Sequence, residues 1–152
     1  MTATIHLADI VTSIHGLTIS GVQMLGTDKI PENAKMNLPV FMPRPKDFIT
    51  NFRPLRLTFG SMGTQSTDLT YTLNYVYLHA PLGSGVGGLF SVYDAMVTKI
   101  VLIQQTILNN DIIGNAADVT IENISAIGPI EDAAGNVYHG CEMAIKVLEH
   151  LG

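Results

Sequence analysis

Two-residue alternation is strongest between Asp68 and Ala80, where the chain reads DLTYTLNYVYLHA. As a strand this segment puts Leu69, Tyr71, Leu73, Tyr75 and Tyr77 on one face and Thr70, Thr72, Asn74, Val76 and Leu78 on the other. Three of the five tyrosines therefore share one face of one strand. Tyrosine supplies large apolar area while its hydroxyl still needs a partner, so this face suits a sheet covered by a helix or by a neighbouring subunit.

Helical spacing occurs twice. From Thr4 to His15 the residues Leu7, Ile10, Val11 and Ile14 fall at i, i+3, i+4 and i+7 with Gly16 just beyond, which predicts a short amphipathic helix. From Leu89 to Asn110 a broad apolar stripe (Leu89, Tyr93, Met96, Val97, Ile100, Ile103, Ile107, Leu108) predicts a helix long enough to cover a sheet face. Ser91 and Asp94 resemble a capping box near its start.

Further strands are expected at Ile19–Leu25, at Leu38–Met42 with Pro39 at its beginning or on an edge, and at Leu55–Phe59. The last of these pairs back antiparallel with the tyrosine strand across the polar residues 60–67, and together they make a meander of about four strands. Asp118–Ile124 and Tyr138–Leu148 close the chain, joined by a connection in which Asp132-Ala-Ala-Gly-Asn136 has strong turn chemistry. On the final strand Met143, Ile145 and Val147 face one way, and Glu142, Ala144 and Lys146 the other. Residues 27–37 read as a loop, and 43–54 as an exposed extension that Phe48, Ile49 and Phe52 can anchor. The order predicts an α+β fold, a mostly antiparallel β-sheet packed against a long α-helix and a short N-terminal helix. The expected organisation is a single domain over 1–152 with an extended loop at about 43–54.

Length agrees with one domain, since 152 residues bury a real core but leave no room for a second. Hydrophobic residues make up 47% of the chain and charged ones only 14%, with a mean hydropathy of +0.30, so some apolar surface is expected to be hidden by self-association. A homo-oligomer is the simplest answer. The net charge of −5 and the absence of a basic run argue against tight direct nucleic-acid binding. Val92 to Leu108 contains Asp94, Lys99, Gln104 and Gln105 and is too polar to span a membrane. The first residues lack the basic region of a secretory signal, and the lone Cys141, unable to form an internal disulfide, reads as a small buried hydrophobe.

Candidate chemistry is sparse. Gly83-Ser-Gly-Val-Gly-Gly88 matches G-x-G-x-x-G between a strand and a helix, the setting of a dinucleotide fingerprint. That fingerprint needs a parallel βαβ unit and an acidic residue about 20 positions on at the next strand tip. Here the position falls in Asn109-Asn110-Asp111, where the long helix ends, so the loop reads as a turn into the helix and a nucleotide-binding enzyme as the alternative. The histidines (His6, His15, His79, His139, His150) have no metal-ligand spacing, and His139-Gly-Cys141 lies beside a turn rather than in an enclosed site. No catalytic residue, cofactor or metal is expected. Arg44, Lys46, Arg53 and Arg56 are half of the eight basic residues and are interleaved with Phe48 and Phe52, a combination suited to docking on an acidic partner or a second subunit. The candidate interface residues are Arg44, Lys46, Phe48, Phe52 and Arg53, with Tyr71, Tyr75 and Tyr77 from the aromatic strand.

The sequence of elements resembles the tail terminator proteins of long-tailed bacteriophages. The likeness is carried by the N-terminal helix, the Gly21-Val22-Gln23 strand, Leu38-Pro39 opening a strand, the aromatic strand, the long helix ending in Asn109-Asn110, the Val119-Thr-Ile121 strand and Tyr138-His-Gly140 entering the last strand. Head-completion and tail-completion proteins of the same neck are similar in these features. The resemblance implies a non-enzymatic structural virion protein, a homo-hexameric ring on the end of the tail tube that stops tube polymerisation and joins the tail to the head connector. Its implied partners are the tail tube protein and the connector, with DNA only as passing cargo and assembly in the host cytoplasm. The glycine-rich 83–88 loop departs from that pattern.

Overall fold

The computed structural model describes residues 6–26, 38–44, 47–58, 65–81, 89–109, 117–125, 127–132 and 134–151. Among these residues two helices, α1 (Leu7–His15) and α2 (Leu89–Asn109), accompany seven strands. These are β1 (Gln23–Met24), β2 (Val40–Pro43), β3 (Ile49–Thr58), β4 (Gln65–Pro81), β5 (Ala117–Ile124), β6 (Gly128–Glu131) and β7 (Val137–Leu151). The fold is α+β, with a mostly antiparallel sheet in the order β1-β2-β4-β7-β5.

The sheet is built on its two long strands. β4 and β7 pair antiparallel along almost their whole length, from Thr67↔Leu151 to Pro81↔Tyr138. Each carries a broken strand on its outer side. β2 pairs with Tyr75–Leu78 and β3 with Gln65–Leu73, so both lie along the same edge of β4. Likewise β5 pairs with Met143–Glu149 and β6 with Val137–Gly140 along the far edge of β7. β1 adds a two-residue parallel pairing outside β2.

Several expectations are corrected by this topology. The first strand is far shorter than Ile19–Leu25, because Gly21 sits at φ 75° and turns the chain, leaving Ile19 bridged to Val22 and only Gln23–Met24 in the sheet. The four-strand meander gives way to two strand segments sharing one edge. The extension expected at 43–54 is half strand, since Ile49–Pro54 pair with Leu69–Leu73. Pro54 is tolerated there because only one side of β3 is paired, and Asn51, at φ 54°, sits in a bulge where two residues oppose Tyr71 and interrupt the alternation. β6 lies inside what reads as a connection, masked by Gly128 and Pro129. Ser91 lies two residues inside α2 rather than at its cap, as the helix is already formed at Leu89. The expected loop at 27–37 and the glycine loop at 83–88 fall outside the described residues.

Both helices cover one face of the sheet. Ile10 and Ile14 of α1 and Ile100, Ile103 and Ile107 of α2 form a single core with Leu69, Tyr71, Leu73, Tyr75 and Tyr77 of β4 and Cys141, Met143, Ile145 and Val147 of β7. At about 1.5–3 kcal/mol per fully buried large apolar side chain, this face is the main source of stability. A smaller cluster on the opposite face, at the β2 and β6 end, gathers Val40, Met42, Val76, Leu78 and Tyr138. At Gly140 the backbone of Tyr77 approaches so closely that a Cβ would collide with its carbonyl. That contact lies beside the bulge at His79, where the long strands shift register between Leu78 and Ala80. Among the described residues no helix is long and apolar enough to cross a membrane.

Candidate functional site

The tyrosine face finds every hydroxyl partner within the chain. Tyr75, fully buried, stacks on Phe41 at a centroid distance of 4.7 Å and meets Phe48 edge-on at 5.2 Å. Its hydroxyl lies 2.9 Å from His15 Nε2 at the end of α1. Tyr77 reaches His79 Nδ1 at 2.6 Å, and Tyr71 donates to Glu149 Oε2 at 2.7 Å. Burial raises all three hydroxyl pKa values, helped at Tyr71 by the hydrogen bond to Glu149. Tyr71, Tyr75 and Tyr77 thus belong to the core beneath α1 and α2 and leave no open area for a neighbour.

Glu149 is a functional group that sequence reasoning missed. It is fully buried, and its second oxygen accepts the backbone N–H of His6 at 2.5 Å, just ahead of α1. One carboxylate thereby ties the last strand to both the first helix and the aromatic strand. A helix N-terminus favours negative charge, and two donors offset part of the cost of burying it. The sequence does carry a signal. Glu149 continues the apolar register of Met143, Ile145 and Val147, so a charge falls on the face that holds tyrosines in need of acceptors.

The other face presents a second polar network. β2 and β3 separate opposite Asn74, whose backbone accepts from the Arg44 N–H at 2.9 Å and donates to Phe48 O at 2.7 Å. The Asn74 side-chain amide donates to Asp47 O at 3.0 Å and to Thr50 Oγ1 at 2.8 Å, closing the break. β5 and β6 separate opposite Glu142, where Ser125 N–H donates to Glu142 O and the Ser125 hydroxyl accepts the Glu142 N–H, both at 2.8 Å. Arg44 joins the two breaks. Its guanidinium pairs with Asp47 through two contacts of 2.5 and 2.7 Å and with Glu142 through Nη1. The Asp47 hydrogen bond, aided by Glu142, raises the Arg44 pKa against the opposing effect of burial.

The remaining candidates divide accordingly. Arg44 is engaged within the chain, and Phe48 is half-buried against Tyr75 and His15. Phe52 and Arg53 lie on β3, of which the backbone alone is described beyond Asn51, and Lys46 lies outside the described residues. Beside the β3 bulge, Asn51, Thr70, Tyr71, Thr72, Glu122 and Lys146 line an open hollow of about 200 Å³. It combines one acid, one base and hydroxyls. No protein-family model and no curated protein matches this chain. The chemistry therefore has to be argued from the residues themselves.

Elsewhere the titratable groups behave as core residues. Burial pushes the Cys141 thiol up to about 12, away from the thiolate that nucleophilic chemistry needs. His79 is pushed below the ordinary histidine value by burial, with His139 and Lys99 adding to the effect. Asp132 is buried but accepts from the backbone of Ala134 and Asn136 and from Tyr138 Oη at 2.7 Å, fixing the turn into β7. Gly135 at φ 85° completes it. Among the described residues no group of three or more His, Cys, Asp or Glu side chains could hold a metal ion.

The connection through α2 bears on the glycine motif. β4 and β5 both run antiparallel to β7, so they are parallel to each other with β7 between them. A dinucleotide fold places its first two parallel strands side by side around the βαβ turn, with the phosphate at the helix start. The intervening strand makes this a different unit.

Proposed function

We propose that the protein is a structural subunit of a phage neck, a tail terminator that forms a homo-hexameric ring on the tail tube, ends tube growth and joins the tail to the head connector. The observation that carries this reading is the division of one sheet into a face sealed by both helices of the chain and a face that is polar beside β3 and β5, with a small apolar cluster confined to its β2 and β6 end. The first face includes the buried tyrosines; the second carries Thr70, Asn51, Thr120, Glu122 and Lys146. Such a subunit needs nothing from a neighbour to fold its core and keeps its other face and edges for assembly. The element order resembling tail terminators supports the specific assignment, and the excess of apolar over charged residues supports a homo-oligomer.

In this reading no reaction is catalysed and no cofactor is bound. The net charge of −5 suits a ring through which DNA passes, because an attractive lumen would trap phosphates. A head-completion or tail-completion adaptor of the same neck is the second reading, favoured by the same element order. The two make different demands in a tube-growth assay. Tail tube protein polymerised with this chain should give capped tubes that stop lengthening, with ring density at one end in negative stain. Tubes that keep growing at the same rate, with no density at either end, would contradict the terminator reading.

A further inference from the structure

Two histidines meet where the long strands lose register. β4 and β7 shift between Leu78 and Ala80, so His79 is the extra residue of β4, next to the pairing of Ala80 with His139. Tyr77 Oη lies 2.6 Å from His79 Nδ1, with the two aromatic centroids 5.9 Å apart, so His79 is on the tyrosine side of the sheet. His139 stands two residues before Cys141 on β7 and shares its face, the one covered by the helices. It is 4% exposed, and its Nε2 is buried with no hydrogen-bond partner. A buried polar atom left unpaired in a folded chain calls for a reason.

The groups around this pair offer no counter-charge. α2 contributes Lys99, whose ammonium lies against Gly21 and donates to Ser20 O at 2.9 Å; with His139 it disfavours a charge on His79. Tyr77 and Cys141 are kept protonated and neutral by burial. Among the described residues no ion pair joins a carboxylate to either imidazole. Glu142 lies on the opposite face and is engaged by Arg44, and Asp132 is held by Tyr138 and its turn. Glu131 of β6 is exposed, two residues along from Pro129, the cross-strand partner of His139. Asp94 of α2 is exposed as well, about 140° round the helix from Lys99. Leu82 to Gly88, which lead from β4 toward α2, include no ionisable side chain.

Neutral imidazoles suit such a site and charged ones do not. A neutral imidazole has one nitrogen without a proton, so Nε2 of His139 can stay buried as an unpaired acceptor. An imidazolium donates from both nitrogens. Protonation would therefore give His139 a buried N–H with no acceptor, and either charge would face a second histidine across the bulge. Relief comes from water, and the bulge is where the ladder between β4 and β7 is already interrupted.

We propose that His79 and His139 are an acid-sensitive latch: neutral, they hold the β2 and β6 end of the sheet closed, and protonation of either parts β4 from β7 around the bulge while the β3 and β5 end stays paired. The latch does not depend on the ring reading above. Its direction follows from linkage. The folded site takes up a proton less readily than the unfolded chain, so closure is strongest above the ordinary histidine value of 6.5 and weakens as pH falls below it.

Hydrogen exchange read by mass spectrometry at pH 7.5 and 5.5 tests this, with rates corrected for the intrinsic pH dependence of exchange. In the parent chain, peptides covering Leu78–Ala80 and Val137–Gly140 should exchange at least about tenfold faster at the lower pH, relative to Tyr71–Leu73 and Ile145–Val147. His79→Gln combined with His139→Leu should remove that difference, whereas His15→Gln, on α1 beside Tyr75, should leave it in place. If the double variant does not fold, imidazole titration by nuclear magnetic resonance in the parent chain decides, since the loss of protection should follow His79 and His139. Equal exchange at both ends of β4 at both pH values, the same acid effect in a folded double variant, or opening that follows neither imidazole would overturn the latch.

Discussion

The two faces of β4 differ in what they demand of the rest of the chain. On one, Tyr71, Tyr75 and Tyr77 are fully buried, and each hydroxyl has a partner: Glu149 on the last strand and His15 on the first helix, both distant in sequence, and His79 two residues along the same strand. On the other, the surface is partly open, with Thr70, Asn51, Glu122 and Lys146 around a hollow. The first face fixes the fold; in the proposed ring the second is the face left for assembly. A polar group is therefore not a functional group by virtue of being polar. Glu149 is as buried as any residue here, and its work is structural.

This difference predicts an ordered series of effects. Tyr75→Asp puts an unpaired charge between Phe41, Phe48 and His15. It should cost more than about 4 kcal/mol, enough to unfold a typical domain or leave it barely folded. Urea denaturation followed by circular dichroism would read this, and a native-like midpoint would mean that the face is open to water. Glu149→Ala strips the acceptor from Tyr71 and from the His6 N–H at once and should cost about 2–4 kcal/mol. An unchanged midpoint would separate α1 from the core.

A smaller effect should appear with pH. Burial lowers the His79 pKa below its ordinary 6.5, so the folded protein prefers the neutral ring and the unfolded chain takes up the proton first. Stability should accordingly fall as pH drops through 6.5 toward the folded value and level off below it. Melting curves between pH 7.5 and 5 should show that decline, and His79→Gln should reduce it; an identical slope in the variant would assign it to other groups. At the foot of the series, Lys146→Glu on the open face should change stability by no more than about 0.5 kcal/mol. A loss as large as that of Glu149→Ala would remove the distinction between the faces.

The helix-bearing half of this architecture was legible because its periodicities are uninterrupted. Ile10 and Ile14, the stripe from Met96 to Ile107, and the alternation from Leu69 to Tyr77 all point to the face they occupy. Apolar spacing overstates α2, however. Tyr93 and Leu108 belong to its stripe by sequence yet stand 44% and 58% exposed, because only the part of the stripe turned toward β4 and β5 finds a sheet to cover it. The edges were harder to read. The second half of β3 was read from the alternation after Pro54, but its first half, Ile49–Pro54, was hidden by Pro54 and the left-handed Asn51, β6 by Gly128 and Pro129, and β1 was shortened by the turn at Gly21. Edge strands tolerate prolines, glycines and bulges that central strands do not, and those residues imitate loops in a linear reading. The basic cluster was visible as composition, but its division into an engaged Arg44 and the arginines of β3 needed the third dimension.

The central claim is that this chain closes into a ring. Sedimentation of the purified protein at micromolar concentration, with negative-stain images of the same sample, tests it most directly. The ring reading predicts a single assembly of about six subunits seen as a closed ring, a number that comes from the likeness to tail terminators alone. A stable monomer under the same conditions, with no ring in any field, would contradict it.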